Sequence, residues 1–403
     1  MVVREPYAGK LARTVLRGGY HRKMVSLPSS HSKPTPATPA GATSLSPSTR
    51  VTWSDPQRQV AFAAWLDRLV DKHGLVAASL RPASTDASFR RYLRVDAQPG
   101  VGVASRIIMD APPDLENSAP FVQVASVMAA AGLSVPQVLD WDAAQGFLLL
   151  SDLGSQTMMD VIHPQDANAN QALYLKAVDA LLAWQLASRP GVLPVYDEAL
   201  LRRELTLFPD WYLIQHRGVA LDSKMAATLE DAFSKIAADN LRAPRVFVHC
   251  DFMPRNLMLA PTGVTCAPLG ILDFQDATYG PITYDIASLM RDAFLSWEED
   301  FVLDITIRYW EQARKAGLPV GEDFGEFYRA VEWMGLQRHL RIAGIFARLT
   351  LRDGKPRYLA DAPRFIGYIR ATAARYRELK PLLRLVDQVE GIQAATGFAF
   401  GRV

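Results

Sequence analysis

Cysteine is scarce in this chain: Cys250 and Cys266 are the only two in 403 residues. Two thiols build neither a disulfide framework nor a thiolate zinc site, and a reducing, cytoplasmic compartment is the expectation that follows. A charge imbalance is also missing, because 44 Lys and Arg stand against 42 Asp and Glu for a net charge of +2. Such a balance gives no support for a nucleic-acid partner recognised through its phosphates. No run approaches eighteen uninterrupted apolar residues, so no membrane span is expected. Lysine is absent between Lys72 and Lys176, and no G-x-G-x-x-G loop occurs anywhere.

What is present suffices for a large core. With 49% hydrophobic residues over this length, two lobes or domains are expected. Residues 1–50 differ in kind, with Glu5 as their one acid and a Ser/Pro/Thr/Ala run from His31 to Thr49. That composition buries too little to fold. The segment reads as a disordered N-terminal extension; an Arg-rich, acid-poor transit peptide and a start upstream of Met24 are the other readings it fits.

Hydrophobic periodicity organises the rest. An amphipathic helix is expected over 56–72, capped by Ser54 or Asp55. A β-rich stretch begins at Leu80, with strands at Phe89–Val95 and Arg106–Met109. A helix over 119–131 closes at Gly132, and strands at 138–142 and 146–150 follow. Beyond Ser151-Asp152-Leu153-Gly154 the chain reads as helical over 168–188, 198–216, 222–239, 283–293, 298–317, 322–352 and 361–379. The fold class expected is α+β. A small lobe with a mixed β-sheet spans 51–153, a mainly helical lobe spans 154–403, and residues 151–154 form the hinge.

One constellation carries chemistry. His249-Cys250-Asp251-Phe252-Met253-Pro254-Arg255-Asn256 follows the apolar strand Val246-Phe247-Val248, and Asp273 lies at the exit of Leu269-Gly270-Ile271-Leu272. A hydroxyl attacking the γ-phosphate of ATP needs a carboxylate to orient it and take its proton, and oxygen ligands for metal ions that neutralise developing charge. Asp251 fits the first role, Asn256 and Asp273 the second. A turn at Pro254 can return Asn256 to Asp251, and a hairpin of 257–259 with 269–272 can place Asp273 opposite. The result is the hard oxygen set that Mg²⁺ selects. A buried Asp–His pair that only holds loops together is the bland alternative; it does not require Asn and a second strand-end Asp at these spacings. His249 reads as a loop-ordering residue and Cys250 as a small buried thiol.

The order of small sheet, hinge, His-x-Asp-x-x-x-x-Asn and strand-end Asp resembles the protein-kinase-like fold in its aminoglycoside phosphotransferase and choline kinase branch. Within that branch several strings resemble the bacterial anomeric kinases of N-acetylmuramate and N-acetylglucosamine. They are Asp86-Ala87-Ser88-Phe89-Arg90-Arg91-Tyr92, Met109-Asp110-Ala111-Pro112-Pro113, Leu149-Leu150-Ser151-Asp152-Leu153-Gly154, Leu272-Asp273-Phe274-Gln275-Asp276-Ala277, Tyr284-Asp285-Ile286-Ala287-Ser288-Leu289-Met290-Arg291-Asp292 and Gly335-Leu336-Gln337-Arg338-His339-Leu340. The resemblance runs from about residue 55 to the C-terminus. It implies ATP-dependent phosphorylation of an amino sugar's anomeric hydroxyl in cell-wall recycling, with the 1-phosphate passed to a downstream uridylyltransferase. It also implies Asp251 as catalytic base, Asn256 and Asp273 as magnesium ligands, backbone contacts to adenine at Ser151, Asp152 and Leu153, and Asp285 as a brace for the catalytic loop. A phosphotransferase acting on aminoglycosides or other small alcohols, and a pseudokinase that binds nucleotide without catalysis, are the competing functions.

The chain departs from the wider fold in lacking the third-strand lysine that holds ATP phosphates. Ser84, Thr85 and Ser88 stand where a glycine-rich loop would, and their hydroxyls and amides can cradle oxygens. Arg91 shares a strand face with Phe89, Leu93 and Val95, so an inward guanidinium could find its partner in a triphosphate. Pairing with Asp86 or Asp110 is the alternative for Arg91. On the acceptor side, Arg291 and Arg338 are candidates for a bidentate contact with a carboxylate-bearing sugar. Trp184, Trp211, Tyr212 and Trp333 could stack on a pyranose ring, although helix aromatics are more often core, and Trp211, in the polar-aromatic triplet Asp210-Trp211-Tyr212, is the leading candidate. In the helix over 322–352, Trp333, Leu336, Leu340, Ala343, Ala347 and Leu351 form an apolar stripe, with Arg338, Arg341, Arg348 and Arg352 expected on a solvated opposite face.

Overall fold

The computed structural model describes residues 51–83, 90–260 and 267–393. The N-terminal extension and the Ser84, Thr85 and Ser88 segment lie outside those residues. The described chain divides into two compact units, one of residues 51–119 and 138–152, the other of 120–137 and 153–393.

The first unit begins with α1 (Pro56–His73), capped by the Asp55 carboxylate on the Gln57 amide at 2.8 Å. Gly74, at φ 59°, ends the helix in the left-handed conformation that glycine adopts without a Cβ penalty. The chain reverses there directly into β1 (Leu75–Pro82), earlier than the expected Leu80. The cause is legible afterwards: Val76 to Ala78 are exposed, so the start of β1 shows no alternation. β2 (Arg91–Ala97), β3 (Ser105–Asp110), β4 (Val138–Asp142) and β5 (Phe147–Ser151) complete a sheet of order β1-β2-β3-β5-β4. Every pairing in it is antiparallel, so the expectation of a mixed sheet is corrected. Phe62, Trp65, Leu66 and Leu69 of α1 pack on Leu93, Val95, Ile108, Phe147 and Leu149, burying one face of the sheet.

The second unit takes in α2 (Ala119–Ala130), which the sequence had suggested for the small lobe. Phe121 packs on Phe274 with ring centroids 4.9 Å apart, which ties this helix to the segment after Asp273. Helices α3 (Ala167–Leu186), α4 (Glu198–Leu205) and α5 (Ser223–Arg242) follow. A π-helical segment, Phe208–His216, replaces the second half of the expected 198–216 helix. Two short ladders then form, β6 (Arg245–Val248) with β9 (Thr278–Pro281), and β7 (Leu257–Met258) with β8 (Gly270–Ile271). Strand β9 escaped sequence reading because Gly280-Pro281 looks like loop. The unit ends with α6 (Thr283–Met290), α7 (Glu299–Lys315), α8 (Phe324–Leu351), α9 (Ala362–Arg375) and α10 (Lys380–Glu390).

Helix α8 organises this unit. It is buried continuously from Val331 to Leu349, on all sides rather than along one stripe. At Gly344 a Cβ would stand 2.2 Å from the Leu207 carbonyl, so the helix meets the π-helical segment where glycine alone leaves room. The solvated basic face expected for α8 is reduced to Arg352, whose side chain is 53% exposed, because Arg338, Arg341 and Arg348 are each 2% exposed. Buried guanidinium groups need acceptors, and those acceptors lead to the site.

Candidate active site

Strand β6 is buried from Val246 to Val248 and delivers His249. The Asp285 carboxylate, in the first turn of α6, accepts the His249 amide on Oδ2 at 2.7 Å and the Cys250 amide on Oδ1 at 3.1 Å. From α8, Arg338 Nη1 donates to the Cys250 carbonyl at 2.9 Å. A carboxylate therefore holds the N–H of Cys250 and a guanidinium holds its C=O. That clamp has a purpose, since Cys250 lies at φ 75°, a conformation that costs a non-glycine residue about 1–3 kcal/mol. Its thiol sits 3.5 Å from the Thr278 hydroxyl, and burial pushes it far above the ordinary thiol range, so it is no nucleophile.

Asp251 follows, 3% exposed, with Oδ1 buried and without a hydrogen-bond partner. Burial raises its carboxyl above the usual aspartate value; Arg341 and Arg338 pull it back down, and the charge of Asp273 pushes it further up. Its backbone N–H donates to His249 Nδ1 at 3.2 Å, so the His249 proton sits on Nε2, which meets the Leu272 carbonyl at 3.1 Å. His249 thus orders the loop as a neutral imidazole, and burial lowers it to about 4. The folded state then binds fewer protons than the unfolded chain between about pH 4 and the ordinary histidine value. Its contribution is complete above that window and is lost as pH falls through it. His249→Gln should flatten the rise of melting temperature with pH across that interval, as calorimetry at stepped pH would show.

A single 3₁₀ turn, Pro254–Asn256, returns the chain, and Asn256 Nδ2 donates to the Asp251 carbonyl at 2.9 Å. The Leu272 amide donates to the Asn256 carbonyl at 2.8 Å, extending the β7–β8 ladder to the residue before Asp273. Asp273 itself adopts φ 64°, tolerable for Asp, and its Oδ1 accepts from Gln275 Nε2 at 2.8 Å. Asp251, Asn256 and Asp273 are joined by these bonds in one unit. Among the described residues no three His, Cys, Asp or Glu side chains form a metal cluster. The arrangement suits Mg²⁺ nonetheless, because that ion takes one or two protein carboxylates and completes its shell from phosphates and water. The unpartnered oxygen of Asp251 beside the charge of Asp273 is where a divalent cation would relieve repulsion. Asn256 and Asp273 would hold it, and it would supply charge neutralisation on the transferred phosphate.

Other expected site residues have different surroundings. Arg91 spans two strands to Asp110, with Nε on Oδ2 at 2.9 Å, and stacks 4.0 Å over Trp53. The premise for a phosphate clamp, a guanidinium in need of a partner, is overturned. Asp110 is shared with Arg58 Nε at 2.8 Å. Asp110→Ala should cost about 2 kcal/mol, read as a lower denaturation midpoint, because two cations lose their carboxylate. Asp152 accepts from Arg94 Nε at 2.6 Å and Ser105 at 2.6 Å, Ser151 ends β5, and Leu153 packs against Gly270. Arg338, expected toward substrate, holds the Cys250 carbonyl through Nη1. Arg291 pairs with Glu299 at 2.9 Å and lines a cleft. Trp211 is half-buried in the π-helical segment, whereas Trp184, Tyr212 and Trp333 are core.

Sequence reasoning missed Glu204. Its buried carboxylate accepts from Tyr196 at 2.6 Å and Gln337 at 2.9 Å and pairs with Arg341 at 3.3 Å, while Arg341 Nη1 reaches the Tyr284 hydroxyl at 2.6 Å. This group supplies one of the two positive charges that bear on Asp251. Arg202-Arg203-Glu204 reads as surface, and only the burial of α8 reveals otherwise.

A strained loop carrying an unpartnered carboxylate, tied to an Asn and a strand-end Asp, is an arrangement suited to phosphoryl transfer. The chain belongs to the Phosphotransferase enzyme family, whose match covers residues 79–323. It is 48% identical over 349 residues to the N-acetylmuramate/N-acetylglucosamine kinase of Pseudomonas aeruginosa, covering 85% of this chain and 100% of that one. It is 46% identical over 346 residues to the protein of the same name from Neisseria meningitidis serogroup B, with coverage of 85% and 100%. The GDP complex of aminoglycoside 2'-phosphotransferase-IIIa shares the fold at a TM-score of 0.53 and 15% identity, covering 78% of this chain and 99% of that one. The fold is therefore the protein-kinase-like one. No helix among the described residues is long and apolar enough to cross a membrane.

Proposed function

We propose that this protein is an ATP-dependent sugar kinase that phosphorylates the anomeric hydroxyl of N-acetylmuramate and N-acetylglucosamine. The observation that carries the reading is the buried, unpartnered Asp251 oxygen on a clamped loop, in a chain nearly half identical to kinases named for those sugars. A carboxylate raised by burial is a competent general base for a sugar hydroxyl. As the sugar oxygen attacks the γ-phosphorus, its proton passes to Asp251 and the bond to the ADP oxygen breaks. Arg341 and Arg338 oppose the upward push that burial gives the Asp251 carboxyl, and Asp285 keeps the loop in register. Asn256 and Asp273 would hold Mg²⁺ brought with ATP, which would supply charge neutralisation on the phosphates. Adenine contacts at Ser151 to Leu153 and phosphate contacts at Ser84, Thr85 and Ser88 belong to the same proposal. So do peptidoglycan recycling as the setting and a uridylyltransferase as consumer of the sugar 1-phosphate.

The test is ATP consumption by the purified protein with N-acetylmuramate, N-acetylglucosamine and kanamycin in parallel. Turnover is expected with both amino sugars and not with kanamycin; kanamycin alone supporting turnover would move the protein to the aminoglycoside branch. Chelation with EDTA should abolish the sugar-dependent turnover, and excess Mg²⁺ should restore it.

A further inference from the structure

The clamp on Cys250 does not end at Arg338. That guanidinium donates to the Cys250 carbonyl through Nη1, its Nε is buried without a hydrogen-bond partner, and it rests on the ring of Tyr284, 4.9 Å from the centroid. Tyr284 is held in turn. Its hydroxyl accepts Nη1 of Arg341 at 2.6 Å, and its ring meets that of Tyr196 edge to face with centroids 5.3 Å apart. Both supports converge on Glu204 of α4, which takes the Tyr196 hydroxyl on Oε2 at 2.6 Å and faces Nε of Arg341 with Oε1 at 3.3 Å. Gln337, the neighbour of Arg338 on α8, donates to Oε2 as well, at 2.9 Å. None of these side chains is more than 4% exposed, so water cannot stand in for a lost partner.

A buried ion pair is a poor device for stability alone, because apolar side chains of similar volume hold a core as well or better. Here it gives direction to what lies beyond it. A cation over an aromatic face is held by the ring's quadrupole, so where the Tyr284 ring stands, Arg338 stands with it. We infer that Glu204 is a positioning residue for phosphoryl transfer, which through Arg341, Tyr284 and Arg338 fixes the Cys250 carbonyl and with it the place of Asp251. Cys250 is held at φ 75°, so a loosened carbonyl gives the loop a more relaxed conformation to fall into. Glu204 also bears on the same centre through charge. Arg341 is the strongest of the cations acting on Asp251, and without Glu204 its charge is left uncompensated in the core. The inference rests on the sugar-kinase reading for its turnover assay and adds a residue outside the catalytic loop that sets the loop's geometry.

The experiment compares the full-length wild type with Glu204→Gln, Tyr284→Phe and the double variant, each at a temperature where circular dichroism shows it folded. Gln keeps the size of Glu204 without its charge, and Phe keeps the ring under Arg338 without the hydroxyl that Arg341 holds. With N-acetylmuramate or N-acetylglucosamine, kcat is expected to fall roughly ten- to a hundredfold in each single variant, the cost of misplacing a reacting group by about an ångström. KM for sugar and ATP should stay within about twofold. The double variant should be no slower than the slower single one, because both changes cut the same relay. A residue that only stabilises the fold would leave the kcat of folded molecules unchanged. Amide hydrogen exchange needs no substrate: a peptide spanning 247–257 should exchange faster in Glu204→Gln and in Tyr284→Phe than in the wild type. A kcat within about twofold of wild type in the folded variants, or unchanged exchange in that peptide, would overturn the inference. Tyr284→Phe decides it if Glu204→Gln fails to fold. A wild type inert on both sugars refutes the sugar-kinase reading instead, and the exchange result then decides the role of Glu204 by itself.

Discussion

Asp251→Ala is expected to lower turnover by roughly three orders of magnitude while leaving the dissociation constants of nucleotide and sugar within about threefold. The carboxylate acts on a proton that moves as the phosphoryl group transfers, so its absence is felt in kcat and little in ground-state binding. The same variant should be at least as stable as the wild type. Asp251 Oδ1 is buried without a partner, and burial disfavours its charged form, so the native fold carries a cost that Ala removes. Stopped-flow turnover and a melting curve on the same sample check both halves. Near-normal turnover would remove Asp251 from the role of base.

Asp285→Ala should behave in the opposite way for stability. Two buried amides, those of His249 and Cys250, lose their acceptor together, and each orphaned donor costs about 1–3 kcal/mol. A loss of roughly 3 kcal/mol in chemical denaturation is expected, with turnover falling because nothing then opposes relaxation of Cys250 from φ 75°. Asp285→Asn keeps one oxygen acceptor and should fall between the two in both measurements. A variant that lost activity but not stability would show that the carboxylate does something other than hold the loop.

Much of this was legible in the sequence, and the reasons for the remainder are physical. His249, Asp251, Asn256 and Asp273 could be placed together because each is tied to a strand end or a proline turn, and local rules govern those. The helices of the second unit fell within a few residues of expectation wherever a cap or glycine marked an end, as at Asp222 and Asp323. Helix α10 was missed because the chain passes from α9 to it through a short 3₁₀ turn, and only Pro381 in its first turn marks a new start.

Long-range pairing defeated sequence reasoning. The amphipathic stripe of α8 predicted one buried face, yet the helix is surrounded; Arg341 finds Glu204 and the Tyr284 hydroxyl, and Arg338 a backbone carbonyl, all far away in sequence. Arg91 illustrates the same limit. Alternation correctly sent Leu93 and Val95 to the core, but the register that sets Arg91 opposite Asp110 could not be read from one strand.

The most direct measurement is phosphorus NMR of the product made from ATP, Mg²⁺ and N-acetylmuramate or N-acetylglucosamine. The expected result is a phosphate monoester signal split by coupling to the sugar's anomeric proton, for both sugars. A signal coupled instead to the protons at carbon 6, or intact ATP beside both sugars, would contradict the assignment of this protein as an anomeric sugar kinase.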